Sequence, residues 1–166
     1  MLFNGVPAPL VSVQSNQIEF QAPFELEGMS TATIEVTYND QLSNVFTAAL
    51  APSNLSILAV ANADGTANSA ANPARVGSVA TVYINGVGQT NPPGVDGGIN
   101  PNNAGRPVNL LTVDLNAAPI APAFLGSAAG ESTAVFQINL VVTSGGSLAL
   151  DGANGFIQTS TMLYAQ

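Results

Sequence analysis

Alternation of apolar and polar positions dominates this chain. Residues 31–38 read TATIEVTY, with Ala32, Ile34, Val36 and Tyr38 on one side and Thr31, Thr33, Glu35 and Thr37 on the other. That period of two belongs to a half-buried β-strand. Asn39-Asp40 turns the chain and Val45 to Ala51 returns it, so residues 31–51 predict a hairpin. Upstream, Asn4-Gly5 is a tight-turn signal, and Val6-Pro7-Ala8-Pro9 runs extended into Leu10, Val11 and Val13. Ile18 and Phe20 then alternate with Gln17, Glu19 and Gln21. Leu55 to Val60 is apolar throughout and reads as a strand or as a buried extended link.

The stretch from Arg75 to Gly98 divides the pattern. Val79 to Ile84 is a strand rich in β-branched residues, and it ends in Asn85-Gly86, Gly88 and Asn91-Pro92-Pro93-Gly94, which no strand or helix absorbs. Residues 61–74 read as a loop with turns at Asp64-Gly65 and Asn72-Pro73. Residues 94–107 carry the weakest structural pattern, and a loop of that length is usually functional or disordered. A second series of strands follows at 108–116, Ser132 to Thr143, Ser147 to Leu150 and Phe156 to Tyr164. No helical period of any length competes, so the fold class is all-β.

Composition narrows the function. Of 166 residues 46% are hydrophobic, enough for one sizeable core or two small ones. Only 7% are charged, against about 25% in ordinary domains. Arg75 and Arg106 are the only basic side chains, and the formal net charge is −8. Such a chain has almost nothing with which to neutralise phosphates, so nucleic acid is excluded as a partner, and anionic membrane surfaces repel it. No run of about 20 apolar residues is present, so direct membrane insertion is not expected. The start, MLFNGVPAPL, lacks the basic residue and long apolar stretch of a leader. Cysteine is absent, which removes any disulfide framework. Few ions and many small polar residues correlate with proteins that pack together outside the cell.

The two series resemble each other. Leu2-Phe3-Asn4-Gly5-Val6-Pro7-Ala8 matches Asp114-Leu115-Asn116-Ala117-Ala118-Pro119-Ile120, and Asn16-Gln17-Ile18-Glu19-Phe20 matches Phe136-Gln137-Ile138-Asn139-Leu140. Two matches in the same order predict two tandem immunoglobulin-like β-sandwich modules, the first over residues 1–74 and the second over 75–166.

The peptides FNGVPAPLVSV, QSNQIEFQAPFEL and NSAANPARVGSVATVYINGVGQTNPPGVDG carry a further likeness. Together they resemble the C-terminal domain abundant in secreted proteins of Solibacter and other Acidobacteria, typified by N-G-V-P-A-P-L, S-P-x-Q-I-N-x-Q-V-P and G-x-G-x-G-Q-T-N-P-P. The resemblance covers most of residues 2–98 and fades after Gly98. It implies an extracellular immunoglobulin-like module and no reaction. In that family a strand like Gly77 to Gly86 precedes each N-G-V-P-A block. The first module here lacks this N-terminal strand, which would leave an unpaired edge and an apolar groove unless an upstream segment or a neighbouring copy fills it.

Catalytic machinery is not in view. Without His or Lys, the common Ser triads and Ser–Lys dyads have no base. Cysteine nucleophiles and ordinary zinc sites fall with the missing Cys and His. Glu25 and Glu27, two apart, would share a strand face as a carboxylate pair, although a solvated turn explains them as well. Two sets of loop oxygens, Asp64, Asn68 and Asn72 or Asp96, Asn100 and Asn102, could ligate calcium but match no calcium-loop motif, and Asn and Asp populate turns in any case. No cofactor and no metal is therefore assigned. Asn54-Leu55-Ser56 is an N-glycosylation sequon at Asn54.

What remains points to a non-enzymatic, extracellular or cell-surface structural protein. The expectation is a bacterial subunit that self-assembles with other copies of itself into a pilus-like filament, fibril or surface layer by donor-strand pairing. Leu2, Phe3, Ile18, Phe20, Phe136, Ile138, Phe156 and Tyr164 are the candidate groove and subunit-interface residues. The candidate donors are the terminal segments, Met1 to Val13 or Phe156 to Gln166. The alternative is an adhesion or carbohydrate-binding module of a larger secreted protein, with glycans as partners. Three tyrosines and no tryptophan supply little surface for stacking on sugars.

Overall fold

The computed structural model describes residues 1–109, 111–152 and 157–166. In chain order the strands are β1 (Leu2–Phe3), β2 (Val6–Pro7), β3 (Leu10–Val13), β4 (Ile18–Phe20), β5 (Thr31–Glu35), β6 (Thr37–Tyr38), β7 (Gln41–Leu42), β8 (Phe46–Ala49) and β9 (Ser56–Ala61). They continue as β10 (Val79–Asn85), β11 (Thr90–Asn91), β12 (Arg106–Pro107), β13 (Thr112–Leu115), β14 (Ala118–Ile120), β15 (Phe124–Ser127), β16 (Phe136–Val141), β17 (Gly146–Asp151) and β18 (Ile157–Leu163). Among the described residues a single 3₁₀ turn, Phe24–Leu26, interrupts this all-β chain.

Two-residue turns start the hairpins. Asn4-Gly5 joins β1 to β2, Asn39-Asp40 joins β6 to β7, and Asn116-Ala117 joins β13 to β14, each with both φ values positive. This backbone matches the twist of paired strands, and Asn, Asp and Gly tolerate it best. The hairpin expected over residues 31–51 forms, with one irregularity: at Val36 and Ser43 the ladder becomes Ser43 N–H to the Val36 carbonyl and Val36 N–H to Ser43 Oγ. β5–β6 and β7–β8 are thus the two arms of one hairpin.

In the second half two four-stranded sheets enclose one core, as in a β-sandwich. One has the order β15-β16-β10-β9 and the other β14-β13-β17-β18. Val82, Ile84, Ile138 and Leu140 from the first meet Val113, Leu115, Leu148, Leu150 and Leu163 from the second. Strict alternation along β10 and β16 gives these strands one dry face and one wetter face. β9, from the apolar run with two readings, is a strand, and it pairs with β10. The expected division between residues 74 and 75 therefore falls between two strands of one sheet.

The first half repeats the order with fewer strands. Its larger sheet runs β2-β1-β5-β8, the same sequence of hairpins as β14-β13-β17-β18. Its other layer is only the ribbon β3-β4, where the second half has β15-β16 extended by β10 and β9. Registers agree as well: Val13 opposes Ile18 as Leu125 opposes Ile138. Counterparts of two strands are thus missing beside β4 among the described residues, one more than the sequence comparison predicts.

Candidate assembly surface

The first half's sheet has an apolar row made by Phe3, Ile34 and Phe46 across β1, β5 and β8, with Ala32 and Ala48 in the next row on the same face. Only part of it is covered. Leu26 of the 3₁₀ turn joins Phe3, Ala8 and Ala32 in a small core, and the Phe20 ring stands 5.0 Å from the Phe3 ring, tilted by 45°. Beyond that cover, Phe46 on the edge strand β8 is 63% exposed, and Leu10, Val11 and Val13 of the ribbon are exposed too.

Among the described residues no strand pairs with the ribbon's outer edge. Gln17 and Gln21 direct their backbone groups back toward β3, through Gln14 N–H to the Gln17 carbonyl at 2.8 Å and Gln21 N–H to the Pro9 carbonyl at 2.9 Å. Successive residues of a strand point their backbone groups to opposite sides. Ile18 and Phe20 therefore point theirs away from β3. In the second half the matching residues, Ile138 and Leu140, are the ones that face β10, because Asn139 accepts from Ala123 on the β15 side and Val142 donates to Ser78 on the β10 side. The consequence for burial is direct: Phe20 is 36% exposed and Leu140 is 1% exposed.

The open half is held to the closed half by the loop that carries the weakest sequence pattern. Gln21, buried, accepts from Gly97 N–H at 3.2 Å and donates to Thr133 Oγ1 at 3.2 Å, while Thr133 Oγ1 donates to the Val95 carbonyl at 2.7 Å. Phe24 N–H donates to Asp96 Oδ1 at 3.1 Å, and the Phe24 carbonyl accepts from Gln89. A side chain at Gly94 would strike the Phe24 ring. The loop is thus held in place from outside: its polar groups fasten the two halves. Beside it lies a cleft of about 250 Å³ lined by Pro92, Pro93, Ile99, Asn100, Ser127 and Phe136 among others, with no titratable side chain in its wall. Asn100 and Ser127 are occupied by backbone partners there.

Several sequence-based site expectations are corrected by these placements. Phe136 and Ile138 are core residues of the closed half; Ile138 is fully enclosed, and Phe136 reaches only the wall of the cleft beside the loop. Leu2 and Ile18 are half-buried, Phe3 is buried under Phe20, and Tyr164 is exposed with its backbone bonded to Asn68. Phe156 lies outside the described residues. Met1 to Val13 supplies β1, β2 and β3, and β18 takes up most of the C-terminal segment, so each candidate donor is already paired in this fold. Glu25 and Glu27 share no strand face: Glu25 sits in the 3₁₀ turn and Glu27 caps it.

Glu25 has another neighbour. It lies against Asp96, whose carboxyl is pushed above its ordinary range by burial first and by Glu25 second, with the Phe24 N–H opposing. The first calcium set is consumed internally. Asp64 accepts from the Thr66 hydroxyl at 2.6 Å and the Thr66 N–H at 3.0 Å, which holds its carboxyl below the ordinary range. Asn68 and Asn72 donate to Asn62, Thr66 and backbone carbonyls, so amide N–H groups occupy the middle of this network. The second set is divided: Asp96 faces Phe24, Asn100 bonds Ser132 and Val135, and Asn102 caps Ala104. Among the described residues no group of three or more His, Cys, Asp or Glu could hold a metal. Asn54 is exposed, and its N–H donates to the Gly86 carbonyl.

No family model, curated protein or solved structure matches the chain.

The sequence reveals β4 as a strand but not its open edge. The signal that finds the edge is the internal repeat, once it is known which strands pair with β16.

Proposed function

We propose that the protein is an extracellular structural subunit made of two immunoglobulin-like repeats, whose copies join into a filament or surface layer through the open first repeat. The observation carrying this reading is the unequal filling of one plan: the same hairpin order occurs twice, with four strands beside one sheet and two beside the other. Unpaired strand edges and exposed apolar side chains invite another chain. The low content of charge leaves little electrostatic resistance to close packing at any single site, although the net charge of −8 opposes association at low salt.

Electron microscopy of native material, with mass measurement beside it, tests the proposal. Fibres or sheets of one subunit type are expected. Monodisperse monomers at all concentrations and salt levels would overturn it, and glycan binding would then be the reading to pursue.

A further inference from the structure

We propose that the free edge of β4 receives an extended segment of another polypeptide, running antiparallel to β4 and patterned like β10. The inference goes beyond self-assembly, because it specifies the chemistry of the occupant, and it rests on reading the first repeat as the joining surface.

The chain holds its own template. β10 lies antiparallel to β16 with Val82 opposite Ile138, Ala80 opposite Leu140 and Thr81 opposite Asn139. Asn16–Phe20 matches Phe136–Leu140 in sequence, and the β3–β4 register matches that of β15–β16. The occupant of β4 therefore places a β-branched aliphatic residue opposite Ile18 and a small one opposite Phe20, where a larger side chain would meet the ring. Its next residue, opposite Glu19, is uncharged and able to donate a hydrogen bond, as Thr81 donates to Asn139 at 3.2 Å. Glu19 already accepts from Ser12 Oγ at 2.8 Å and Gln17 Nε2 at 3.4 Å, so it is held as an acceptor.

A second copy of β4 fits this edge poorly. Pairing Ile18 with Phe20 of its twin would set Glu19 against Glu19, and like charges directly opposite destabilise a pair of strands. Nor do the terminal strands match the template. β18 presents Thr159, Thr161 and Leu163 in alternation where β10 presents Ala80, Val82 and Ile84. An occupant has a physical effect here: the ribbon has two strands and is only partly covered through Phe20, and a third strand with an apolar face adds to its stability.

A synthetic peptide of sequence SVATVYING, copied from residues 78–86, is the probe, titrated into the protein with amide hydrogen exchange followed by NMR. Binding is expected to slow exchange at Ile18 and Phe20 by at least about tenfold and to leave Glu19 unchanged, since only the first two amides face the edge. N-methylation of the peptide at the positions of Ala80 and Val82 should abolish the effect, and N-methylation at Thr81 and Tyr83 should not. No saturable change, or equal loss with both methylated peptides, would overturn the inference. So would protection of Ile18 and Phe20 that rises with protein concentration and that excess peptide fails to displace, because the edge then prefers a segment unlike β10. The two readings fail separately. Native fibres in which Ile18 and Phe20 exchange freely would sink this inference and leave the structural role standing. A native monomer that binds the peptide would do the reverse.

Discussion

The two halves of this molecule use one plan and reach different degrees of closure. In the second, β10 and β9 widen the layer over β13–β17, and Ile84, Ile138, Leu140, Leu148 and Leu150 become fully dry. In the first, no strand widens the ribbon among the described residues, and the buried cluster is only Phe3, Ala8, Leu26 and Ala32. The strand pattern does not explain the contrast, since Ile18 and Phe20 alternate as cleanly as Ile138 and Leu140. What differs is the number of strands laid beside them. Alternation specifies which side of a strand seeks cover, and a neighbour decides whether cover is found.

The largest test of that difference compares matched residues. Leu140→Ala should cost about 3 kcal/mol in urea unfolding, as a fully buried leucine does, and Phe20→Ala about 1 kcal/mol because its ring is already partly wet. Equal costs would mean that the first half is as closed as the second. The strands that only the closed half possesses meet at Gly86, which has φ +74° and no room for a Cβ against the Asn54 carbonyl. Gly86→Ala should therefore cost about 2 kcal/mol, with β9 amides losing protection first in hydrogen exchange.

A smaller effect concerns the fastening between halves. Gln21→Ala removes the acceptor for Gly97 N–H and a donor to Thr133, a loss of about 1–2 kcal/mol readable as faster exchange at the Gly97 amide. If that amide is unaffected, the halves are held chiefly by Phe24 and its neighbours. The matched turns offer a gain. Ala117 carries φ 61° where the first half has Gly5 at φ 84°. Ala117→Gly should stabilise the second half by about 1 kcal/mol, because a left-handed Cβ clash disappears.

The smallest effects are those of pH, and they run in opposite directions. Asp96, at the contact of the halves, has a raised pKa in the folded protein, so its contribution is fully present below the ordinary aspartate pKa and is lost as pH rises through the folded value. Asp64, in the loop between β9 and β10, has a lowered pKa, so its contribution is present above the ordinary value and is lost as pH falls through the folded one. Unfolding of Asp96→Asn should lose the first dependence while the Asn oxygen still accepts from Phe24 N–H. A pH profile unchanged by this substitution would show that burial and Glu25 do not raise the Asp96 carboxyl in the folded protein.

Much of the local structure was legible in the sequence, for local reasons. Asn4-Gly5 and Asn39-Asp40 announce two of the tight hairpins, and the alternation in TATIEVTY and in Val79 to Ile84 announces strands with one dry face. Asn116-Ala117 is harder to recognise as the same turn, because alanine in a left-handed conformation is held there by the paired strands around it. The loop at 94–107 reads as unstructured because its order comes from outside itself, through Gln21, Phe24 and Thr133. The candidate interface was only partly legible. Phe136 and Ile138 share a pattern with the ribbon residues, yet they are sealed in a core.

The sequence by itself determined the all-β class, the strands, the tight turns and the doubling of the plan, since each depends on neighbours a few residues apart or on likeness between segments. Tertiary structure alone decided that β9 crosses to pair with β10, that β4 keeps a bare edge, and that Asp96 faces Glu25. Those outcomes depend on which distant segments lie side by side, and backbone hydrogen bonds, being the same for every residue, write no partner into the strand that makes them.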